Sequence, residues 1–323
     1  MLGFIAKLYG KVADVRNRLY DQGVFHSERL PARTISIGNI TAGGTGKTPL
    51  VAYVADVLAA RGEKVCILTR GYGRRDESMR VLVSDRERVL EGPDAAGDEP
   101  VELARHLLGK AVVIADADRI SSAEWAGRRF KPTVFILDDG FQHRRAARHL
   151  DIVCIDATDP FGGEQMLPAG RLREPLHNLA RADVVVITRS NLRPNVSQTK
   201  RRIAELAPDA KIFEAARHET GCEAARGHAA YAFCGIGNPD AFFEQLRGEA
   251  LSLAGTRSFR DHWSYQRSDI AAVEEAARQV HADLLVTTRK DAVKLDPAWF
   301  TMPYHVLGLE IVLDDPTGFA ALL

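Results

Sequence analysis

The run Thr34-Ile-Ser-Ile-Gly38-Asn39-Ile40, followed by Thr41-Ala-Gly-Gly-Thr-Gly-Lys-Thr48, constrains this chain more than any other feature. An apolar, β-branched run leads into a glycine-rich turn, and a helical pattern over 49–61 follows it. The order strand, glycine turn, helix meets the phosphate-loop pattern Gly-x-x-x-x-Gly-Lys-Ser/Thr except at its first position, where Thr41 stands. Glycines at 43, 44 and 46 let the backbone curl so that its N–H groups converge on phosphate oxygens. The positive end of the following helix adds to that attraction. Lys47 can reach the β- and γ-phosphates, and the Thr48 hydroxyl can ligate Mg²⁺. Thr41, Ala42, Gly43, Gly44, Thr45, Gly46, Lys47 and Thr48 are therefore the expected nucleotide-binding residues. Partitioning ATPases carry a second lysine just before the double glycine, where this chain has Ala42. Guanine-binding proteins use Asn-Lys-x-Asp, and no such tetrapeptide occurs. By elimination the nucleotide is ATP.

Apolar strand patterns recur at 34–38, 64–69, 111–115, 134–137, 152–156 and 184–188, with helical patterns at 49–61 and 100–108. Strands of this kind predict an α/β fold with a parallel sheet covered by helices on both faces. The stretch 70–97, with a short strand at 81–84, reads as an excursion over the ligand edge. The pattern restarts beyond about 210, with strands at 231–234, 284–288 and 305–309 and helices at 239–247 and 268–280. Segments 211–215 and 307–313 fit a linker and a return strand. Three parts are expected: an amphipathic helix over 1–25, a phosphate-loop domain over 26–210 and a smaller α/β domain over 211–323.

The N-terminal stretch places Leu2, Ile5, Leu8, Val12, Val15 and Leu19 at steps of three and four, on one helical face. Lys7, Lys11, Arg16 and Arg18 outnumber Asp14 and Asp21. Such a helix either packs on the core or lies in a membrane interface. No apolar run is long enough to span a bilayer, and no signal peptide is seen. Net charge is +0, from 43 basic and 43 acidic residues, which argues against a bulk nucleic-acid binder. Cys66, Cys154, Cys222 and Cys234 show no Cys-x-x-Cys spacing and read as reduced, buried residues of a reducing compartment.

Several acidic and basic groups fall beside the phosphate loop in this scheme. Asp138 and Asp139 end an apolar strand, where a phosphate-loop enzyme organises its metal. Gly97-Asp98-Glu99-Pro100 precedes a helix, so Asp98 fits either an N-cap or a group that handles the acceptor proton. Asp261-His262, in the second part, is the other proton-handling candidate. Leu167-Pro-Ala-Gly-Arg171-Leu-Arg173-Glu174 offers arginines to phosphate and a carboxylate to metal, or is a solvated loop with an ion pair. Arg70-Gly-Tyr72-Gly-Arg74 follows a strand at the edge where ligands bind in open α/β sheets.

Taken together, the ordered motifs resemble one family, the tetraacyldisaccharide 4′-kinases of lipid A biosynthesis. They are Gly38-Asn-Ile-Thr-Ala-Gly-Gly-Thr-Gly-Lys-Thr-Pro49, Thr69-Arg-Gly-Tyr-Gly73, Gly97-Asp-Glu-Pro100, Ala117-Asp-Arg119, Asp138-Asp-Gly-Phe-Gln-His143, Leu167–Glu174, Gly235-Ile-Gly-Asn-Pro239, Asp261-His262 and Thr287-Thr-Arg-Lys-Asp-Ala-Val-Lys-Leu295. The resemblance implies transfer of the ATP γ-phosphoryl, with Mg²⁺, to the 4′-hydroxyl of a tetraacylated glucosamine disaccharide 1-phosphate. It also implies two domains joined by a two-stranded hinge whose closure brings Asp98 and His262 together as the catalytic pair, with Lys47. Asp138, Asp139 and Glu174 become the implied metal-site residues beside Thr48, and Gly237 and Asn238 part of the nucleotide site. Arg70, Tyr72, Arg119, Gln142, His143, Arg171 and Arg173 are expected on the substrate side. The partners so implied are the lipid A disaccharide precursor and the cytoplasmic face of the bacterial inner membrane, with the chain attached peripherally through its first helix. No nucleic acid and no obligate protein partner are expected. The competing expectation is a membrane-associated regulatory ATPase.

Overall fold

Seven strands carry the first part of the chain: β1 (Arg33–Asn39), β2 (Val65–Thr69), β3 (Val81–Ser84), β4 (Ala111–Ala115), β5 (Val134–Asp138), β6 (Leu150–Asp156) and β7 (Val184–Thr188). Five more follow: β8 (Lys211–Thr220), β9 (Ala229–Cys234), β10 (Ser252–Ser258), β11 (Leu284–Thr288) and β12 (Tyr304–Leu313). The helices are α1 (Leu2–Asp21), α2 (Lys47–Ala60), α3 (Pro93–Ala96), α4 (Asp98–His106), α5 (Arg119–Phe130), α6 (Ser197–Leu206), α7 (Cys222–Ala225), α8 (Pro239–Gly248), α9 (Arg267–Gln279), α10 (Arg289–Ala292) and α11 (Pro316–Ala320). This architecture comes from a computed structural model that describes residues 2–193, 195–249 and 251–323.

The strands form one twelve-stranded sheet in the order β10-β9-β11-β12-β8-β7-β6-β1-β5-β2-β4-β3. It is mostly parallel; β3 runs against β4 and β12 against β8. The parallel strands of the first part end together, so Asn39, Thr69, Ala115, Asp138, Asp156 and Thr188 line one carboxyl edge. Strand alternation decides which helices cover which face. Ile35, Ile37, Val65, Ile67, Ile136 and Val186 face α2 and α4 through Leu50, Val54, Val101 and Leu103. The alternate residues Cys66, Leu68, Phe135 and Leu137 face α5. Val153, Ile155, Val185 and Ile187 do the same beneath α6. In the last part, Ala230, Ala232 and Val286 pack on α8, and Tyr231, Phe233 and Leu285 pack on α9. All four cysteines are buried.

The join between the two parts is a pair of strands. β8 lies parallel to β7 over Lys211–Ala215, then pairs antiparallel with β12 from Ala215 to Thr220. β12 pairs with β11 through Leu307 and with β8 from Gly308 onward. The linker expected at 211–215 is thus the first half of a ten-residue strand. β10 has no counterpart in the sequence reading. Its sequence, Ser-Leu-Ala-Gly-Thr-Arg-Ser, lacks an apolar run, and it sits at the sheet's edge, where most of its side chains are partly exposed.

Candidate active site

The phosphate loop leaves β1 at Asn39 and enters α2 at Lys47. Gly46, with φ 79°, is the N-cap, and a Cβ there would press on the Thr188 side chain. No side chain caps α2 and its first turn holds no acid, so its leading N–H groups remain for an anion. Hydrogen bonds from beneath fix the loop. Asn39 Nδ2 donates to Thr45 Oγ1 at 2.8 Å, and Thr188 Oγ1 donates to the Thr45 carbonyl at 2.8 Å. Thr41 and Thr45 are buried, whereas Gly43 and Gly44 are exposed at the crest.

At the next strand end, two adjacent carboxylates are driven in opposite directions. Asp138 is buried at the end of β5; its Oδ2 accepts from Thr69 Oγ1 at 2.8 Å, and its buried Oδ1 has no hydrogen-bond partner. Burial, reinforced by the charges of Glu99 and Asp139, pushes its carboxyl up to about 6. Asp139 has left-handed backbone, φ 52°, which turns its side chain away from the strand direction. Burial works against its charge too, but Lys47 and Arg173 outweigh it and hold the carboxyl down at about 2. Lys47 Nζ lies 3.4 Å from Asp139 Oδ1, and Arg173 Nη1 donates to both carboxylate oxygens at 2.8 and 2.9 Å.

The segment carrying Arg171, Arg173 and Glu174 runs beside the phosphate loop, with Thr41 bridged to Leu172 and the Arg173 N–H donating to Ile40. Arg171 Nε and Nη2 donate to the Ala42 carbonyl at 3.0 and 2.8 Å, so this guanidinium belongs to the donor-phosphate side. Glu174, expected at the metal site, is held by three side chains in this structure. Glu174 is 2% exposed, and its oxygens accept from Asn17 Nδ2 at 2.9 Å, Gln142 Nε2 at 2.7 Å and Arg181 Nη2 at 2.9 Å. Three donors already occupy most of the acceptor sites of this carboxylate. Through Asn17 and Gln142 it ties α1 to the Asp138–His143 turn, and Gln142 also donates to the Asn39 carbonyl at 2.8 Å.

Asp98 opens α4, but Gly97 is the N-cap and no side chain makes the capping bond, so the capping alternative for Asp98 is set aside. Its carboxylate turns to the second part of the chain. Asp98 Oδ2 lies 3.1 Å from His262 Nδ1 and 3.2 Å from Lys294 Nζ. Burial opposes its charge, and the hydrogen bond to His262 together with Lys294 overcomes it, leaving the carboxyl below its ordinary value. Gly97, just before Asp98, lies against the Gly71 and Tyr72 backbone that follows β2, which puts the start of α4 at the carboxyl edge of the sheet.

The other expected residues divide. Arg119 is buried and donates to the Asp138 carbonyl at 2.8 Å, holding the strand end rather than facing solvent. Burial and the neighbouring arginines push the His143 imidazole down to about 4. Arg70 and Tyr72 are exposed on the excursion after β2, with Tyr72 71% exposed. Gly237 and Asn238 follow β9; Asn238 Oδ1 caps α8 by accepting from Ala241 N at 3.3 Å, and Gly237 lies against the Asp261 carboxylate. Lys290, Asp291 and Lys294 were not assigned a role from sequence, although they stand in the Thr287–Leu295 motif. Lys290 Nζ reaches Asp261 Oδ1 at 3.1 Å and His262 Nε2 at 3.4 Å.

Comparison with known proteins agrees with this geometry. The sequence model of the tetraacyldisaccharide-1-P 4′-kinase family matches residues 1–323. A tetraacyldisaccharide 4′-kinase of Geobacter metallireducens is 41% identical over 321 residues, covering 98% of this chain and 94% of the relative. One of Geobacter sulfurreducens is 39% identical, covering 100% and 92%. The crystal structure of LpxK from Aquifex aeolicus in complex with ATP superposes with a TM-score of 0.82 at 32% identity, covering 98% of this chain and 96% of that one. The chain belongs to the tetraacyldisaccharide-1-P 4′-kinase family.

Proposed function

We propose that Asp98 and His262 activate the acceptor hydroxyl in the reaction of this ATP-dependent kinase. That reaction moves the γ-phosphoryl of ATP to the 4′-hydroxyl of a tetraacylated disaccharide 1-phosphate, a lipid A precursor. One observation carries the assignment: the 3.1 Å pair of Asp98 and His262, from distant stretches of sequence, stands at the carboxyl edge of the sheet from which the phosphate loop also rises. With Asp98 ionised, Nδ1–H of His262 donates to it, and Nε2 takes the acceptor proton once the acceptor hydroxyl displaces the Lys290 ammonium that stands 3.4 Å from it. Asp98 then stabilises the imidazolium that forms.

Donor binding falls to the loop N–H groups of 43–48 and to Lys47, with Arg171 closing the loop from its flank. The orphaned Oδ1 of Asp138, buried beside that loop, is the kind of oxygen a hard cation takes, so Thr48 and Asp138 fit Mg²⁺. Bound there, Mg²⁺ neutralises charge on the β- and γ-phosphates. Asp139 sets the positions of Lys47 and Arg173. Gly237 and the exposed Arg70 and Tyr72 are left to meet nucleotide and acceptor from the two sides of the cleft. The β8/β12 pair serves as the hinge between a phosphate-loop unit and a smaller α/β unit.

The acceptor is a lipid, and α1 supports a membrane partner. Leu2, Phe4, Leu8, Val12 and Val15 are exposed on α1, while Ala6, Gly10 and Asn17 make its packed face. Among the described residues no helix is long and apolar enough to cross a membrane. A peripheral seat on the cytoplasmic face of the inner membrane, with α1 in the headgroup boundary, accommodates both facts.

The test is transfer of ³²P from γ-labelled ATP to the tetraacyl disaccharide 1-phosphate. Asp98→Asn and His262→Asn are each expected to lower kcat by ~10²–10⁴-fold. Wild-type turnover in either variant would refute the assignment, and label recovered only as inorganic phosphate from the intact protein would favour a regulatory ATPase.

A further inference from the structure

Lys294 carries a buried side chain between a half-buried carboxylate, Asp98, and a fully buried one, Asp291, in a motif to which the assigned roles give no task. Its side chain is 7% exposed. Nζ stands 3.2 Å from Asp98 Oδ2 and 3.4 Å from Asp291 Oδ1, and the Tyr265 ring lies 5.4 Å away on the other side. Asp291 is fully buried. Its Oδ2 accepts from the Gly235 N–H at 3.0 Å and from Thr288 Oγ1 at 2.7 Å. Polar contacts therefore run without a break from His262 through Asp98, Lys294 and Asp291 to the turn after β9. Asp98 is the only member of this chain on the phosphate-loop side of the hinge pair; the others come from the later part.

A charge taken out of water is tolerated when it is paired and hydrogen-bonded. The Lys294 ammonium meets the first half of that condition, with one carboxylate at ion-pair distance on each side, while Nζ itself makes no hydrogen bond of good geometry. The lysine does for Asp98 what the imidazole alone does not. His262 bonds the same Oδ2 from a turn that is largely exposed, whereas Lys294 approaches from a rigid, buried position. The other charged groups around the pair are Glu99 on α4, Asp261 beside His262, and Lys290 on α10, which contacts Asp261 and His262.

We propose that Lys294 is a positioning residue for phosphoryl transfer: it fixes the Asp98 carboxylate toward His262, and Asp291 holds it in place as part of the Gly235 turn. Nucleotide contacts on that turn are thereby joined mechanically to the acceptor-activating pair. The inference rests on the assignment of Asp98 and His262 given above.

Replacing Lys294 alone leaves Asp291 buried without its cation, so loss of folding and loss of positioning would be confounded. Lys294→Met combined with Asp291→Asn removes the orphaned charge, and the asparagine oxygen can still accept from Gly235 and Thr288. The double variant is expected to melt close to wild type. Its kcat should fall ~10–100-fold while KM for ATP moves less than ~3-fold, because the loss is in orientation for transfer and not in binding. In an Asp98→Asn background the same double change should cost less than ~3-fold, since a residue that acts through Asp98 has nothing left to position. Two results overturn the proposal: a double variant with wild-type kcat, or a cost that multiplies undiminished on top of Asp98→Asn. Wild-type turnover in Asp98→Asn itself overturns the pair assignment, and the inference falls with it.

Discussion

Asp138 and Asp139 are neighbours in sequence with carboxyls at about 6 and about 2. Burial disfavours charge at both, so the split comes from partners: the nearby acids Glu99 and Asp139 for one, a lysine and an arginine for the other. His143, four residues on, shows the consequence for stability. Burial and the charges of Arg119 and Arg148 push its imidazole from 6.5 down to about 4, so the folded chain keeps it neutral where the unfolded chain takes up a proton. Between those two values the unfolded state binds more protons, so stability is lost as pH falls from ~6.5 toward ~4 and is unaffected above. At pH ~5 the cost is about 2 kcal/mol. His143→Gln should therefore show a smaller drop in urea-unfolding free energy between pH 7 and pH 5 than wild type by roughly that amount. Equal drops would show that the imidazole is not held neutral by the fold. Residues whose chemistry is local were legible in sequence: Lys47 and the loop glycines need only a strand before and a helix after. The partners of Glu174 were not, because they are Asn17, 157 positions away, and Gln142, 32 away. Lys294 escaped assignment for the same reason, since its meaning comes from Asp98 across the molecule.

Elements with a strong period were read correctly in place and kind. β3, β4, β7 and β11 have the expected bounds, and the helices at α2, α4, α8 and α9 are shifted by one or two residues at their ends. β10 was invisible because an edge strand need not be apolar, and Gly255 there lets the Tyr231 ring lie against its backbone. For α1, periodicity left two readings, core or membrane, and packing decides which face is covered. The helix lays small side chains inward: Gly10 sits against Met166, and Asn17 bonds Glu174. Its large side chains point out, with Phe4 73% and Val12 61% exposed. Burying one such side chain in an apolar phase is worth ~1.5–3 kcal/mol. Leu8→Glu with Val12→Glu should accordingly reduce partition to vesicles of anionic phospholipid by at least ~10-fold, with the thermal melt unchanged. Because Asn17 and its bonds are untouched, turnover on detergent-dispersed acceptor should persist. Retained vesicle binding would remove the membrane role from α1.

At the scale of the whole chain, the last residues return to the first core. Leu313, Phe319 and Leu323 are buried with Leu50, Val54 and Leu58 of the phosphate helix. The Phe319 ring meets Tyr53 edge-on at 6.1 Å and Phe213 at 5.2 Å. Arg61 Nη2 donates to the Ala320 carbonyl at 2.8 Å, and Arg33 binds the Leu323 carbonyl. The end of the part expected over 211–323 therefore packs on the phosphate-loop core through α11. Two cores joined by two strands differ physically from one core, and tryptophans report on each: Trp125 packs in the first part, Trp263 and Trp299 in the second. Phe319→Ala removes a fully buried ring from the first core, a change that costs ~3–5 kcal/mol. If the two-strand join is a hinge, that loss should appear mainly in the urea transition followed by Trp125 alone, with Trp263 and Trp299 replaced by Phe. The transition followed by Trp263 and Trp299, with Trp125→Phe, should move by less than about a third as much, because their cluster does not include Phe319 and meets its core only near Val293. Equal shifts at both probes would mean that the twelve-stranded sheet unfolds as one cooperative body. The β8/β12 pair would then be too strongly coupled to its neighbours to act as a hinge, and the cleft holding Asp98 and His262 would have to be a fixed one.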